Sequence, residues 1–240
     1  MRLEGKTAIV TGGASGFGAG IVRKFVAEGA RVMIADINGE AAGAFAAEVG
    51  PQALVRQVDV SKAESVNAMA EAALEAFGQI DILVNNAGVS HMPAPLDEIS
   101  EADFDRVLAV NLTAPFFLSQ AAAPLLATGA GGTIINILDL SAVQAWPSYA
   151  PHAVSKAGLA HLTRILARVL APHVRVNAIA PGSVLPPTDD DGQDLALGPA
   201  RQVLERAGQP DDAVSALLWL ASADFVTGQV IAVDGGRLLL

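Results

Sequence analysis

The chain has 240 residues, of which 52% are hydrophobic and 17% charged, so it is too apolar for a disordered chain and suits one domain with a single large core. Lys and Arg total 15 against 25 Asp and Glu, a formal net charge of −10. Broad binding to nucleic acid or to an anionic membrane needs a basic face and is not expected. With no cysteine, disulfides, thiolate metal ligands and a thiol nucleophile are excluded. Arg2, Glu4 and Lys6 interrupt the pattern of a secretory leader, and no apolar run reads as long enough to span a membrane. The expectation is a soluble, cytoplasmic protein.

Thr7 to Val10 reads as a strand, a Gly-rich turn follows, and a helix runs from about Gly16 to Glu28. Arg31 to Ala35 and Leu54 to Val58 read as the next two strands. Ser61 with Glu64 predicts a capping box at the following helix, and Ser100 precedes another acidic first turn. Ile82 to Val84, Thr133 to Ile137, Val174 to Ile179 and Val230 to Val233 complete the strands. Short β runs alternating with helical stretches predict an α/β fold with a doubly wound parallel sheet, one domain over residues 1–240.

Two helical stretches, from about Phe104 to Leu126 and from Ser155 to Leu170, are apolar nearly all round. A surface helix needs only one apolar stripe, so the surplus predicts that a second face meets another subunit. The tail Leu238 to Leu240 is expected to dock on a core or a partner.

The first turn reads Thr11-Gly12-Gly13-Ala14-Ser15-Gly16-Phe17-Gly18, between a strand and a helix. Glycine lets backbone approach a pyrophosphate, and the helix start supplies free N–H groups. A tight turn without a ligand also uses glycine, but the position inside a βαβ unit favours the phosphate reading. Asp36 ends the second strand, where a carboxylate accepts hydrogen bonds from two ribose hydroxyls or caps the next helix. It repels a 2′-phosphate, and neither Ser15 nor Ile37 offers a compensating positive charge, so NAD is expected rather than NADP. Asp59 reads equally as an adenine contact or as a turn residue.

This turn, Asn85-Asn86-Ala87-Gly88, Asn111, Lys156 in Ser155-Lys156-Ala157-Gly158, Pro181-Gly182 and Asp234-Gly235-Gly236 occur in an order that resembles the short-chain dehydrogenase/reductase family over essentially the whole chain. The resemblance implies a Rossmann-type sheet, assembly as a tetramer or dimer, and hydride transfer between NAD(P) and a small carbonyl or alcohol substrate. It implies that Gly12, Gly16 and Gly18 shape the pyrophosphate turn, with Ser15 and Phe17 between and beside them, and that Asp36, next to Ile37, selects NAD. Asp59 and Val60 would flank adenine, and Asn86, Ala87 and Gly88 the adenosine and ribose side. Lys156 would hold the nicotinamide ribose, and Pro181, Gly182 and Val184 would border the nicotinamide. A substrate loop would occupy about 183–208.

The chain departs from the family pattern at the proton donor. The family's Tyr, four residues before the Lys, is His152 here, and its Ser aligns at Asp139. Asn111 and Lys156 are retained, and Pro186 stands where a carboxamide-contacting Thr often lies. Imidazole exchanges protons near neutral pH, although Lys156 disfavours its cation and the ring is shorter than a phenol. Asp139 is placed to hold one tautomer of His152 or to favour its cation. Tyr149, one helical turn earlier, is a second candidate for the same pocket, with Trp146 beside it and Pro151 in the helix's first turn. Asp139 and much of the C-terminal half also resemble the pteridine reductase branch. Three readings follow: an NAD(H)-dependent alcohol–carbonyl oxidoreductase, a pteridine-type reductase, and a cofactor-binding scaffold. His91, His161 and His173 have no metal-ligand spacing and read as surface or cap residues.

Overall fold

Val, Ile and Thr run densely through short segments flanked by helix-forming stretches, a composition that stands as parallel strands covered on both faces. The computed structural model describes residues 1–128, 131–183 and 202–240. In it β1 (Thr7–Thr11), β2 (Arg31–Asp36), β3 (Ala53–Gln57), β4 (Ile82–Asn85), β5 (Gly132–Ile137), β6 (Val174–Pro181) and β7 (Val230–Val233) pair in the order β3-β2-β1-β4-β5-β6-β7. Every pairing is parallel, with Ala8 opposite both Val32 and Ile82, and Ile82 opposite Thr133. The strands match the sequence-based positions within one or two residues. The order reverses between β1 and β4, which opens a crevice at the carboxyl edge of the sheet, where this class of fold binds ligands.

The helices are α1 (Gly16–Ala27), α2 (Gly39–Val49), α3 (Ala63–Phe77), α4 (Glu101–Leu108), α5 (Ala114–Leu126), α6 (Ala150–Leu170) and α7 (Pro210–Ser222). Successive strand residues face opposite layers. Val10 packs with Ile21, Phe25 and Leu217 of α1 and α7 on one side, whereas Ile9 packs with Met69, Leu118 and Leu166 of α3, α5 and α6 on the other. A buried polar chain crosses this second layer. The Asn85 amide donates to Asn136 Oδ1 at 2.8 Å, and the Asn136 amide donates to Thr163 Oγ1 at 2.9 Å, joining β4, β5 and α6.

Several local expectations change. Ser100 does cap α4, accepting from the Asp103 N–H at 3.1 Å. The capping box at Ser61 and Glu64 does not form: Lys62 occupies the cap position, and the Ser61 hydroxyl is already donated to Asp59 at 2.6 Å. The helix read from Ser155 begins at Ala150, with Pro151 in its first turn.

Glu101–Leu126 is one continuous 26-residue helical run, α4 joined to α5 through a π-helical turn at Ala109–Thr113, and by length and composition alone it is apolar enough to cross a membrane. The sequence reading of no such run is corrected. One apolar face of the run, Ala114, Leu118, Ala122 and Leu126, is buried against the sheet, while Phe116 and Phe117 are exposed. The end of the tail does not dock on a core among the described residues, since Leu239 and Leu240 are exposed.

Phe25 is fully buried between α1 and the sheet. Phe25→Ala is expected to lower unfolding stability by about 3–5 kcal/mol in urea titrations, as emptying a large core site does. An unchanged urea midpoint would contradict this packing.

Candidate active site

The Gly-rich turn is locked to the end of β4. The Asn86 side-chain amide donates to the carbonyls of Thr11 and Gly12, both at 2.9 Å. The Thr11 hydroxyl accepts from the backbone N–H groups of Asn86 and Ala87 at 3.0 and 3.1 Å. Gly12 has φ +61°, and a Cβ there would stand 3.0 Å from Ala87 Cα. A Cβ on Gly18 would stand 2.0 Å from the Gly12 carbonyl oxygen, which no side chain tolerates. Gly16 also has a positive φ, +52°. The turn thus offers bare backbone at the start of α1, where Ser15 is the cap residue and makes no side-chain cap bond among the described residues. Phe17, in contrast, packs against the core.

Asp36 stands at the end of β2 beside this turn. Its oxygens accept one N–H each, from Ala14 and Asn38, both at 3.0 Å, so lone pairs remain on each. The capping role left open for Asp36 belongs to Asn38, which accepts from the Ala41 N–H. Ile37 is 66% exposed and brings no charge. Asp59 acts as a turn residue, accepting from the hydroxyl and the N–H of Ser61, and chiefly the hydroxyl bond holds its carboxyl below the usual range. Val60 packs against the second core layer.

Beyond the turn, Asn111, Asp139, His152 and Lys156 come together. His152 Nε2 lies 2.6 Å from Asp139 Oδ2, while Asp139 Oδ1 accepts from the Ser141 N–H at 2.8 Å and from the Ser141 hydroxyl. His152 Nδ1 lies 3.3 Å from the Val89 carbonyl oxygen and 3.4 Å from Asn111 Nδ2. The two Asn111 amide hydrogens go to the Val89 carbonyl at 2.9 Å and to Ser155 Oγ at 3.1 Å, and Asn111 Oδ1 accepts from the Val89 N–H at 2.8 Å. The π-helical turn carries Asn111 into this position. Lys156 is 6% exposed and donates to the Ile137 carbonyl at 2.9 Å. A Cβ on Gly88 would stand 3.4 Å from Asn111 Oδ1 and 3.7 Å from Lys156 Nζ, so Gly88 brings the β4 loop against both.

Burial pushes the Lys156 ammonium below its ordinary pKa, partly opposed by Asp139. Burial raises the Asp139 carboxyl, but the His152 hydrogen bond, the Lys156 charge and Ser141 outweigh it and hold the group below the usual carboxylate range. An ionised Asp139 accepts, so Nε2 is the donating nitrogen of that contact.

Tyr149 stands outside this set. It lies edge-on to Trp146, with centroids 6.3 Å apart, and among the described residues its hydroxyl bonds none of the four. Trp146 is parallel to the His152 ring within 9°, at 6.5 Å between centroids. Pro181 ends β6, and Gly182 follows, so close to Asp234 that a Cβ would lie 2.9 Å from its Cα. Val184, Pro186 and most of the loop read at 183–208 lie outside the described residues. His161 and His173 are exposed, but His91 is buried, which corrects its surface reading. No cluster of three metal-ligating side chains occurs among the described residues.

Three contributors escaped the sequence reading: Ser141, Ser155 and the Val89 carbonyl. An Asp followed two residues later by Ser is a local side-chain-to-backbone motif, and that signal points to Ser141. A backbone carbonyl approaching from another loop leaves no sequence signal.

A doubly wound sheet with a backbone cradle after β1 and a buried ammonium beside an ionisable pair defines an oxidoreductase of the dinucleotide-binding type. Residues 12–237 match the family model described as enoyl-(acyl carrier protein) reductase, and the chain belongs to the short-chain dehydrogenase/reductase family. It is 38% identical to D-threitol dehydrogenase of Mycolicibacterium smegmatis, covering 98% of this chain and 94% of that one. It is 40% identical to 3beta-hydroxysteroid dehydrogenase 1 of Eggerthella lenta, over 99% and 95%. Among solved structures, 3-ketoacyl-(acyl-carrier-protein) reductase from Brucella melitensis, complexed with NADH, superposes with a TM-score of 0.90 at 34% identity, over 98% and 99%.

Because the folded carboxyl of Asp139 lies below its ordinary value of about 3.9, its ionised form stabilises the fold above that pH, and this contribution is lost as pH falls through the lowered value. The stability gap between wild type and Asp139→Asn, from urea titrations, is therefore expected to be full near neutral pH and to shrink below about pH 4. A gap constant across that range would contradict the assignment.

Proposed function

We propose that the protein is an NAD(H)-dependent oxidoreductase interconverting an alcohol and a carbonyl compound, with His152 in place of the family's tyrosine as proton donor. The observation that carries this reading is the 2.6 Å contact between His152 Nε2 and Asp139, beside the buried Lys156. The Gly12 to Gly18 turn fits a pyrophosphate, because Gly12 and Gly18 leave no room for side chains there. The spare lone pairs of Asp36 fit the two hydroxyls of an adenosine ribose and, with Ile37 uncharged, disfavour a 2′-phosphate. Lys156 would hold the nicotinamide ribose, with Pro181, Gly182 and Val184 bordering the ring. The NADH in the Brucella melitensis relative supports this choice. The nicotinamide, when bound, donates or accepts the hydride at the substrate carbon.

This chain's residues manage the proton. In carbonyl reduction the substrate oxygen replaces Asp139 Oδ2 as acceptor of the Nε2–H of a doubly protonated His152, and the Lys156 ammonium stabilises negative charge developing on that oxygen. The proton passes from Nε2 of the imidazolium to the oxygen, which becomes the alcohol, and a neutral imidazole protonated on Nδ1, facing the Val89 carbonyl, is left. In oxidation the alcohol proton moves to Nε2, and the ionised Asp139 supports the resulting imidazolium. Trp146, parallel to the His152 ring, covers one side of this exchange.

A pteridine-type reductase is the second reading, favoured by a carboxylate, Asp139, standing in the site against His152. The further partners we propose are copies of this chain, as a homotetramer or homodimer in the cytoplasm. Phe116, Phe117, Val169 and Phe225 supply exposed apolar surface for that assembly.

The test is NADH oxidation with ketones, diketones and dihydropterins, using wild type, His152→Ala, His152→Tyr and Tyr149→Phe. Turnover of a ketone is expected, with His152→Ala slowed about 100-fold or more, well beyond the effect of Tyr149→Phe. NADH binding, followed by fluorescence, should survive His152→Ala. An inactive wild type with activity gained in His152→Tyr would instead identify a cofactor-binding scaffold. Asp36→Ala is expected to shift cofactor preference from NAD toward NADP, read from the ratio of kcat/KM values; an unchanged ratio would remove Asp36 from cofactor selection.

A further inference from the structure

His91 lies on the loop that leaves β4 at the carboxyl edge of the sheet. It is only 8% exposed, and neither ring nitrogen has a hydrogen-bond partner among the described residues. Leaving two polar atoms buried and unpaired costs stability, so such an atom beside a reaction site calls for an explanation. The loop cannot readily turn His91 outward. The Arg106 guanidinium holds the Ser90 carbonyl at 2.8 Å, and the Ala94 N–H donates to the Ser148 carbonyl at 3.1 Å. The second bond ties the loop to the turn that carries Tyr149. His91 meets the Tyr149 ring edge-on at 5.9 Å, Tyr149 meets Trp146, and Trp146 lies parallel to His152. The unpaired imidazole is thus joined to the proton donor through two aromatic rings.

We propose that His91 is a specificity-determining residue that recognises a second hydroxyl of the substrate, so that the substrate class is a polyol and its hydroxyketone. This rests on the oxidoreductase reading above. A neutral imidazole presents one donor and one acceptor, and a hydroxyl needs both. A carboxylate or phosphate uses donors alone and would leave the acceptor nitrogen of the neutral ring unpaired. An ammonium group uses acceptors alone and would leave one ring nitrogen unpaired. Tyr149, half-buried and edge-on to the imidazole, is the ring that a ligand turns aside to reach it.

The test compares erythritol with 2-butanol, which share a carbon count but differ in added hydroxyls, in wild type, His91→Leu and His91→Asn. Loss of kcat/KM in His91→Leu is expected to be about 10-fold or more greater for erythritol than for 2-butanol, mainly through KM, with His91→Asn recovering part of it. Independently of turnover, the His91 imidazole signal, assigned by its absence from the His91→Leu NMR spectrum, should move on erythritol titration. Equal losses for both alcohols, or a His91 signal indifferent to erythritol, would overturn the proposal. A signal that moves in a wild type unable to oxidise either alcohol, and inactive on the ketone panel above, supports recognition by His91 while overturning the oxidoreductase reading. Turnover of both alcohols without discrimination by His91→Leu overturns the recognition alone.

Discussion

The junction between β1 and β4 is the constraint on which the rest depends. Parallel strands wind outward in both directions from it, so the backbone leaving β1 and the backbone leaving β4 diverge over a crevice. Thr11 and Asn86 hold the two sides together through a hydroxyl and a carboxamide that exchange hydrogen bonds with four backbone groups. These bonds satisfy polar backbone that would otherwise be stranded at the strand ends. They also leave the Gly12 to Gly18 turn no freedom to accommodate a Cβ at position 18. Cofactor-side geometry is therefore a consequence of how the sheet is wound.

The second half of the site depends on placing charge where water is scarce. A buried ammonium without a partner is costly, and Lys156 is paired by the Ile137 carbonyl at close range and by the charge of Asp139. Asp139 is in turn supported by His152 and Ser141. Removing any one member leaves another underpaired, so the group behaves as a unit. Low local dielectric makes the same contacts stronger and aligns them for proton movement. His152 and Asp139 are thus linked by a direct hydrogen bond within this group.

The sequence reading was strongest where a local rule operates. Apolar β runs located the strands, glycine spacing located the cradle, and Asp36 was placed at the end of β2 by position alone. It was weakest where partners are distant. Ser61 satisfies the local pattern of a capping box, but the nearer Asp59 takes its hydroxyl. Asp36 was left open as a cap, and the decision turned on Asn38 two residues later. His91 looked like a surface histidine because nothing within a few residues buries it; Tyr149, far along the chain, does. The apolar stretch from about Phe104 to Leu126 reads as one helix, and its start lies at Glu101, where charged residues of the first turns dilute the apolar pattern.

The order of elements, the parallel sheet and the family membership were all written in residues close together in the chain, since strand periodicity, turn glycines and caps act over a few positions. The proton-transfer set was only partly so. His152 and Lys156 share a helix face and can be related by spacing, but Asp139 lies 13 residues before His152 and meets it only because the 3-10 turn at Leu140–Ala142, which Asp139 caps, packs against α6. The Val89 carbonyl and Asn111 reach the same ring from β4's loop and the π-helical turn. Which nitrogen of His152 faces the carboxylate, and which faces Val89, follows from those packed elements, because direction is a property of the folded chain and spacing along it carries none.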